Sequence, residues 1–346
     1  MLKQWIKFVL HSFMICLVIC CFIWNQLVLY GISQGTGQLS LILHSEPVEK
    51  VLNDPSLPDS LRVKLKLIAE VKQYTVDSLG LNPSKNYTTF YNQHNKALLF
   101  TISACEPYSL KAKEWTFPFL GSVSYKGFFN KEKAKKELYK LILLGYDVDI
   151  YSPSGWSTLG WFKDPIQSGM LERSDGSLVN LIIHELSHGT LYVKNNVNFN
   201  ENLANFIGEK GTEQFLKDKF GKNSKPYLDY EHRKVDDKLF TNYMLQATKR
   251  LDSLYRSFTT EPDSLKKKKK KQLITDIVLG VNRLPFYKPK NYFRYALQAF
   301  HEGNAFFMSF TRYDSQYELF DQEYREKFHS NLRNYLLFLK KTYPSL

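Results

Sequence analysis

Apolar positions follow three different rhythms along this chain. Across residues 8–30 they are almost continuous, with His11 the only ionisable side chain apart from cysteine and tyrosine. A bilayer-spanning helix needs roughly 20 such residues. Residues 60–79 instead place Leu61, Leu65, Ile68, Val71, Thr75 and Leu79 at helical spacing, with Gly80 closing the run. Short apolar runs over 97–104 and 116–123 predict strands, the second interrupted by Pro118. Asn130 stands where a cap belongs for a helix over 131–144, and Gly145 ends it. Residues 146–151 alternate acidic and apolar, the pattern of a half-exposed strand. Residues 180–189 and 199–208 predict helices, and 213–220, 235–258, 263–281 and 306–341 keep the same period. The expected architecture is α+β. It has a transmembrane helix over 1–30, a linker over 31–38, a mixed helix/strand part over 39–177 and a mainly helical part over 178–346.

The first segment is longer than a signal-peptide core and ends without a small-x-small cleavage site, so it reads as an uncleaved anchor. Lys3 and Lys7 precede it and place the N-terminus in the cytoplasm. In a bacterium the expectation is then a single-pass inner-membrane protein whose body faces the periplasm or exterior.

One stretch carries recognisable chemistry. Residues 180–189 contain His184-Glu185-Leu186-Ser187-His188, an H-E-x-x-H pattern in an apolar run without proline. On a helix, positions i and i+4 share a face, so both imidazoles can reach one metal ion. Glu185 sits where it can take a proton from a water activated by that metal. A second helix is expected to begin near Asn198 or Asn200, and Glu201 at its start completes a His₂Glu set with a fourth zinc position left open. The bland alternative is a half-buried helix whose histidines are satisfied by ordinary hydrogen bonds. Upstream, Ser157-Thr158-Leu159-Gly160-Trp161-Phe162 looks extended. It is either an edge strand offering backbone groups to a peptide through Thr158, Leu159, Gly160 and Trp161, or a plain internal strand.

Composition narrows the field. The net charge of +13 includes six lysines at 266–271, and without them the balance is +7. That run reads as a solvated helix face. No helix-turn-helix or RNA-binding signature accompanies it, so nucleic acid is not an expected partner. Cys16, Cys20 and Cys21 lie in the apolar segment, which leaves Cys105 alone in the body and rules out a disulfide there.

Taken in order, several motifs resemble the bacterial predicted-aminopeptidase family, membrane-associated proteins with a gluzincin-type zinc motif. They are Gly37-Gln38-Leu39, Tyr125-Lys126-Gly127-Phe128-Phe129, Gly145-Tyr146-Asp147-Val148, Ser157 to Phe162 with Asp164-Pro165, the H-E-x-x-H, and Phe199-Asn200-Glu201. The resemblance covers most of residues 31–340. It implies zinc, one ion per chain, held by His184, His188 and Glu201, with Glu185 as general base. It further implies substrate contact by Asn304, from Asn304-Ala305, and oxyanion stabilisation by Tyr313. Two departures are Gly303, where a second Asn is expected, and Thr190, where a larger apolar residue is expected. The implied function is a membrane-anchored zinc peptidase, an aminopeptidase acting on peptide or protein substrates. The alternatives are an endopeptidase, or a non-catalytic membrane-tethered protein with a structural zinc, for which His301-Glu302 is the only suspected source of a further ligand.

Overall fold

The computed structural model describes residues 5, 25–117, 121–152, 163–194, 196–310 and 317–343. The chain is α+β, with small sheets among the helices of its first half and a mainly helical second half. Helix α1 (Asn25–Leu43) lies along the sheet formed by β6 (Lys126–Phe128), β3 (Phe100–Cys105) and β7 (Asp147–Tyr151). The Tyr30 hydroxyl donates to the Gly127 carbonyl at 2.8 Å, the Tyr30 ring stacks on Phe117 at 5.5 Å, and Leu41 is buried.

This helix corrects the membrane reading. Residues 31–38, expected as a linker, are helical. Among the described residues no helix is long and apolar enough to cross a membrane. The transmembrane helix, the membrane as partner and the single-pass inner-membrane placement are therefore overturned. The physical reason is visible in α1 itself. Polar Asn25, Gln26, Ser33, Gln34, Thr36, Gln38 and Ser40 interrupt it, and its Tyr30 face is spent on protein. Residues 6–24, the larger part of the expected anchor, lie outside the described residues.

Three apolar clusters hold the fold. The largest gathers α2 (Val48–Leu52), α3 (Asp59–Tyr74), a π-helical turn Thr75–Leu79, α5 (Asp175–His188), α6 (Val197–Phe220), α12 (Tyr317–Phe328) and α13 (Leu332–Thr342). Against it lies a sheet in which β2 (Thr89–Tyr91) pairs antiparallel with β1 (Glu46–Pro47) and parallel with β8 (Ile166–Gln167). The second cluster joins α7 (Lys225–Arg256) and α8 (Asp263–Gly280) to α9 (Pro289–Ala296), α10 (Ala299–Glu302) and α11 (Asn304–Met308). The third backs the β6-β3-β7 sheet with α4 (Lys131–Leu143).

Local chemistry explains the boundaries. Asn130 accepts from Lys133 N–H at 2.9 Å and starts α4, and Gly145 at φ +83° follows its end. The expected strand over 116–123 is a hairpin of β4 (Trp115–Phe117) and β5 (Gly121–Val123). The helices expected over 199–208 and 213–220 are one, capped by Asn196. Glycines 208 and 211 sit inside it at a cost of about 1 kcal/mol each. Gly208 has a reason to be there. A Cβ at that position would stand 3.3 Å from both the Asn180 carbonyl and the His184 Cβ, so α5 and α6 approach closely at the site. The periodic run over 306–341 is not one helix: α11 ends at Met308, and after α12 His329 (φ +48°) and Ser330 (φ +58°) turn the chain before Asn331 caps α13.

Candidate metal centre

α5 is built to be buried. Ser174 caps it, accepting from Ser177 N–H, and Asp175 in the first turn complements the helix dipole. Leu178, Val179, Ile182, Ile183 and Leu186 are all buried, so the helix runs through the largest core and carries His184 and His188 with it. α6 supplies Glu201 from its second turn. The preceding loop is pinned by Asn200, whose Oδ1 accepts from Val193 N–H and whose Nδ2 donates to Val193 O, both at 2.8 Å. At 2 % exposure, Asn200 is a structural clamp beside Glu201.

The three side chains converge. His184 Nε2 lies 3.4 Å from Glu201 Oε2, and His188 Nε2 lies 3.6 Å from Glu201 Oε1. Donor atoms of all three fall within 4.8 Å of one another. Ligands about 2.1 Å from a tetrahedral zinc stand about 3.4 Å apart, close to the separation of each histidine from one oxygen of the Glu201 carboxylate. These separations are long for strong ion-pair hydrogen bonds. The His/His/Glu cluster is able to coordinate a metal ion.

Electrostatics sharpen the picture. Burial pulls the His184 pKa down, but hydrogen bonding to Glu201 and the charges of Glu185 and Glu201 outweigh it, and the pKa stands above the ordinary value. Burial, with the neighbouring His184, takes His188 down to about 4. Burial works against the Glu201 carboxylate, yet the His184 hydrogen bond and both histidines bring its pKa below normal. Asn205, one turn beyond Glu201, lies beside His184 and raises its pKa further. Asn200 enters the sequence reading only as a possible cap and within Phe199-Asn200-Glu201, whereas the cap is Asn196, and Asn205 is not named there. Their i−1 and i+4 spacing to Glu201 was the available signal.

Other expected residues fall elsewhere. Tyr313 and the Thr158, Leu159, Gly160 and Trp161 segment lie outside the described residues. Asn304 is fully buried and committed within the protein. Its Nδ2 donates to Glu106 O at 2.8 Å and Pro107 O at 3.2 Å, its Oδ1 accepts from Tyr255 OH at 2.7 Å, and its N–H meets Asp147 Oδ2 at 2.6 Å. That saturation describes a packing hub joining β7, α7 and α11. Gly303 adopts φ +54°, ψ −130°, and a Cβ there would lie 2.3 Å from Asp147 Oδ2. The glycine departure is thus dictated by close approach. Thr190, the other departure, is fully buried, and its hydroxyl accepts from Asn82 N–H at 2.9 Å. Lys270, expected on a solvated face, is a half-hidden ion-pair partner of Asp147 with an 11 % exposed side chain. His301 is exposed, and among the described residues only His184, His188 and Glu201 form a group able to hold a metal.

No curated protein and no solved structure matches this chain. A family model described as "Putative aminopeptidase" matches residues 29–342, nearly the whole chain and every ligand in the cluster. The chain belongs to that aminopeptidase family.

Proposed function

We propose that the protein is a zinc-dependent peptidase, an aminopeptidase, with His184, His188 and Glu201 holding one zinc and Glu185 as general base. The observation that carries this reading is the pair of ligand-to-ligand edges at 3.4 and 3.6 Å within an aminopeptidase-family chain. Zinc in such a site polarises a carbonyl and lowers the pKa of a water it holds to about 7.

The chain's own groups do the rest. Glu185 follows His184 on α5, so the ring that binds metal also fixes the backbone from which the carboxylate projects. It accepts a proton from the attacking water as the water oxygen bonds to the scissile carbonyl carbon. It returns that proton to the amide nitrogen as the C–N bond breaks. The buried face of α5 and the Asn200 clamp keep base and ligands in fixed register through the cycle.

The test is metal content and peptide hydrolysis on the purified full chain. Wild type is expected to hold one zinc, while His184→Ala and Glu201→Gln lose it. Glu185→Gln is expected to keep zinc and lose at least about 10²-fold in kcat. A Glu185→Gln variant as active as wild type would falsify the assignment. Comparing free-amine with N-acetylated peptides separates aminopeptidase from endopeptidase action.

A further inference from the structure

A cavity of about 560 Å³ lies between α5, α6, α7 and the start of α12. That is the size of a ligand pocket, well beyond a packing void. Two of its walls belong to the helices that carry the metal cluster. Asn180 stands one turn before His184 on α5, and Asn205 lies beside His184 from α6. Gly208 lets the two helices close here, because Asn180 and His184 both have atoms 3.3 Å from where its Cβ would be. From this end the cavity follows α6 to Glu209. Glu201, Asn205 and Glu209 recur at four-residue steps, so they share a side of that helix.

Charge is spread unevenly over the walls. Arg233 meets Asp237 at 3.2 Å and Lys238 meets Glu318 at 3.4 Å, exposed pairs in which each cation answers one carboxylate. Glu209 is less exposed and less well matched. Its partner Lys234, at 3.3 Å, also serves Glu213 and, at 3.5 Å, Glu231. Lys210, 3.7 Å from Glu209, is nearer to Asp321 at 3.0 Å. Four carboxylates thus draw on two lysines, and the exposed Arg325 adds to Asp321. Burial pulls the Lys234 pKa down, but Glu209, Glu213 and Glu231 outweigh it and hold it above the ordinary value. A pocket wall with this excess of acid favours one more cation.

Distance decides which cation. Glu209 lies eight residues beyond Glu201, a rise of ~12 Å along α6. A substrate's α-amine stands two bonds, roughly 2.5 Å, from the carbonyl carbon that a metal at Glu201 would polarise. A lysine or arginine side chain carries its charge roughly 6–7 Å from its own Cα. With a metal–oxygen contact at one end and a hydrogen bond at the other, the side chain spans the interval and the amine does not.

We infer that this cavity is a specificity subsite for a lysine or arginine side chain next to the scissile bond, with Glu209 recognising its charge. This rests on the peptidase reading above. Tyr317 donates to Glu209 Oε1 at 2.5 Å, and Lys234 and Lys210 meet the same oxygen, so Oε2 is the one the substrate cation takes. The subsite makes and breaks no bond. It contributes binding and fixes the register of the peptide against the metal.

The experiment uses the zinc-loaded full chain and peptides that carry either lysine or norleucine, which keeps the stem and drops the charge, on each side of the scissile bond. Wild type is expected to favour lysine at one of the two positions by about tenfold or more in kcat/KM. Glu209→Gln should bring that ratio close to one at unchanged zinc content. Because Glu209→Gln also disturbs Lys234, Thr241→Trp, which fills the cavity from α7 without altering its charge, should do the same. Calorimetry on the Glu185→Gln chain should show the lysine peptide binding tighter by a similar factor. Equal values for lysine and norleucine, or a wild-type ratio that survives both variants, overturn the inference while hydrolysis itself still supports the peptidase reading. A preference lost on N-acetylation and kept on the norleucine exchange assigns the cation to the α-amine and overturns it too. If wild type cleaves no peptide, the peptidase reading falls. Calorimetry then still judges the subsite, equal affinities striking it and a lysine preference lost in Glu209→Gln upholding it.

Discussion

At the scale of single residues, Gly303 and Glu302 make opposite kinds of demand. Gly303 must pass within contact of Asp147, whose Oδ2 also receives Asn304 N–H and Lys270 Nζ. Alanine there would meet both a forbidden backbone region and a carboxylate that cannot retreat without dropping two partners. Gly303→Ala should lose about 3 kcal/mol of stability, seen as a lower urea midpoint at unchanged slope. An unaltered midpoint would show that the α10–β7 junction is not under this constraint. Glu302 is controlled by solvation. Burial, then repulsion from Asp149, raises its pKa from 4.5 to about 8. The folded state thus binds a proton that the unfolded chain has released between these values. Linkage then makes stability fall as pH rises from about 4.5 through about 8. Tyr295, which senses the Glu302 charge, and Asp149 are the facing groups. Glu302→Gln should flatten that part of the stability–pH curve. A curve parallel to wild type across pH 5–8 would refute it.

At the scale of elements, what could be read in the sequence was what the local period controls. α4 follows directly from its apolar spacing and Asn130 cap, α5 from its apolar run without its first turn or the Ser174 cap, and the two histidines share a face because the helix repeat puts them there. Glu201 was reachable because it lies within the first two turns of the next helix. The rest depended on partners distant in the chain. β1 and β8 are two residues long, too short for any alternation to show, and β8 is a strand only because β2 lies beside it. The partners of Asn304 come from Glu106, Pro107, Ser109, Asp147 and Tyr255, which local pattern cannot foretell. The break at His329 and Ser330 was hidden for a related reason. Their left-handed angles leave the helical period of the flanking residues untouched. α1 shows the same limit from the other side, since an apolar run says nothing of the sheet that a helix face will meet.

At the scale of the whole molecule, the question is whether the metal holds the fold or the fold holds the metal. α5 and α6 are joined by Ile182, Ile183 and Leu186 packing in one core with Leu203, Phe206 and Ile207, and α3, α12 and α13 close around them. This burial exists without the ligands, unlike small zinc domains that unfold when the metal leaves. A metal bound only by the folded state adds RT ln(1 + [Zn]/Kd), about 4 kcal/mol at a thousandfold excess over Kd. Treating the protein with a chelator should therefore lower its thermal midpoint and abolish peptide hydrolysis while leaving the helical circular-dichroism signal intact at 25 °C. Returning zinc should restore both. Loss of helix on chelation would instead make the metal a structural staple, and the open coordination position on which peptide hydrolysis depends would lose its rationale.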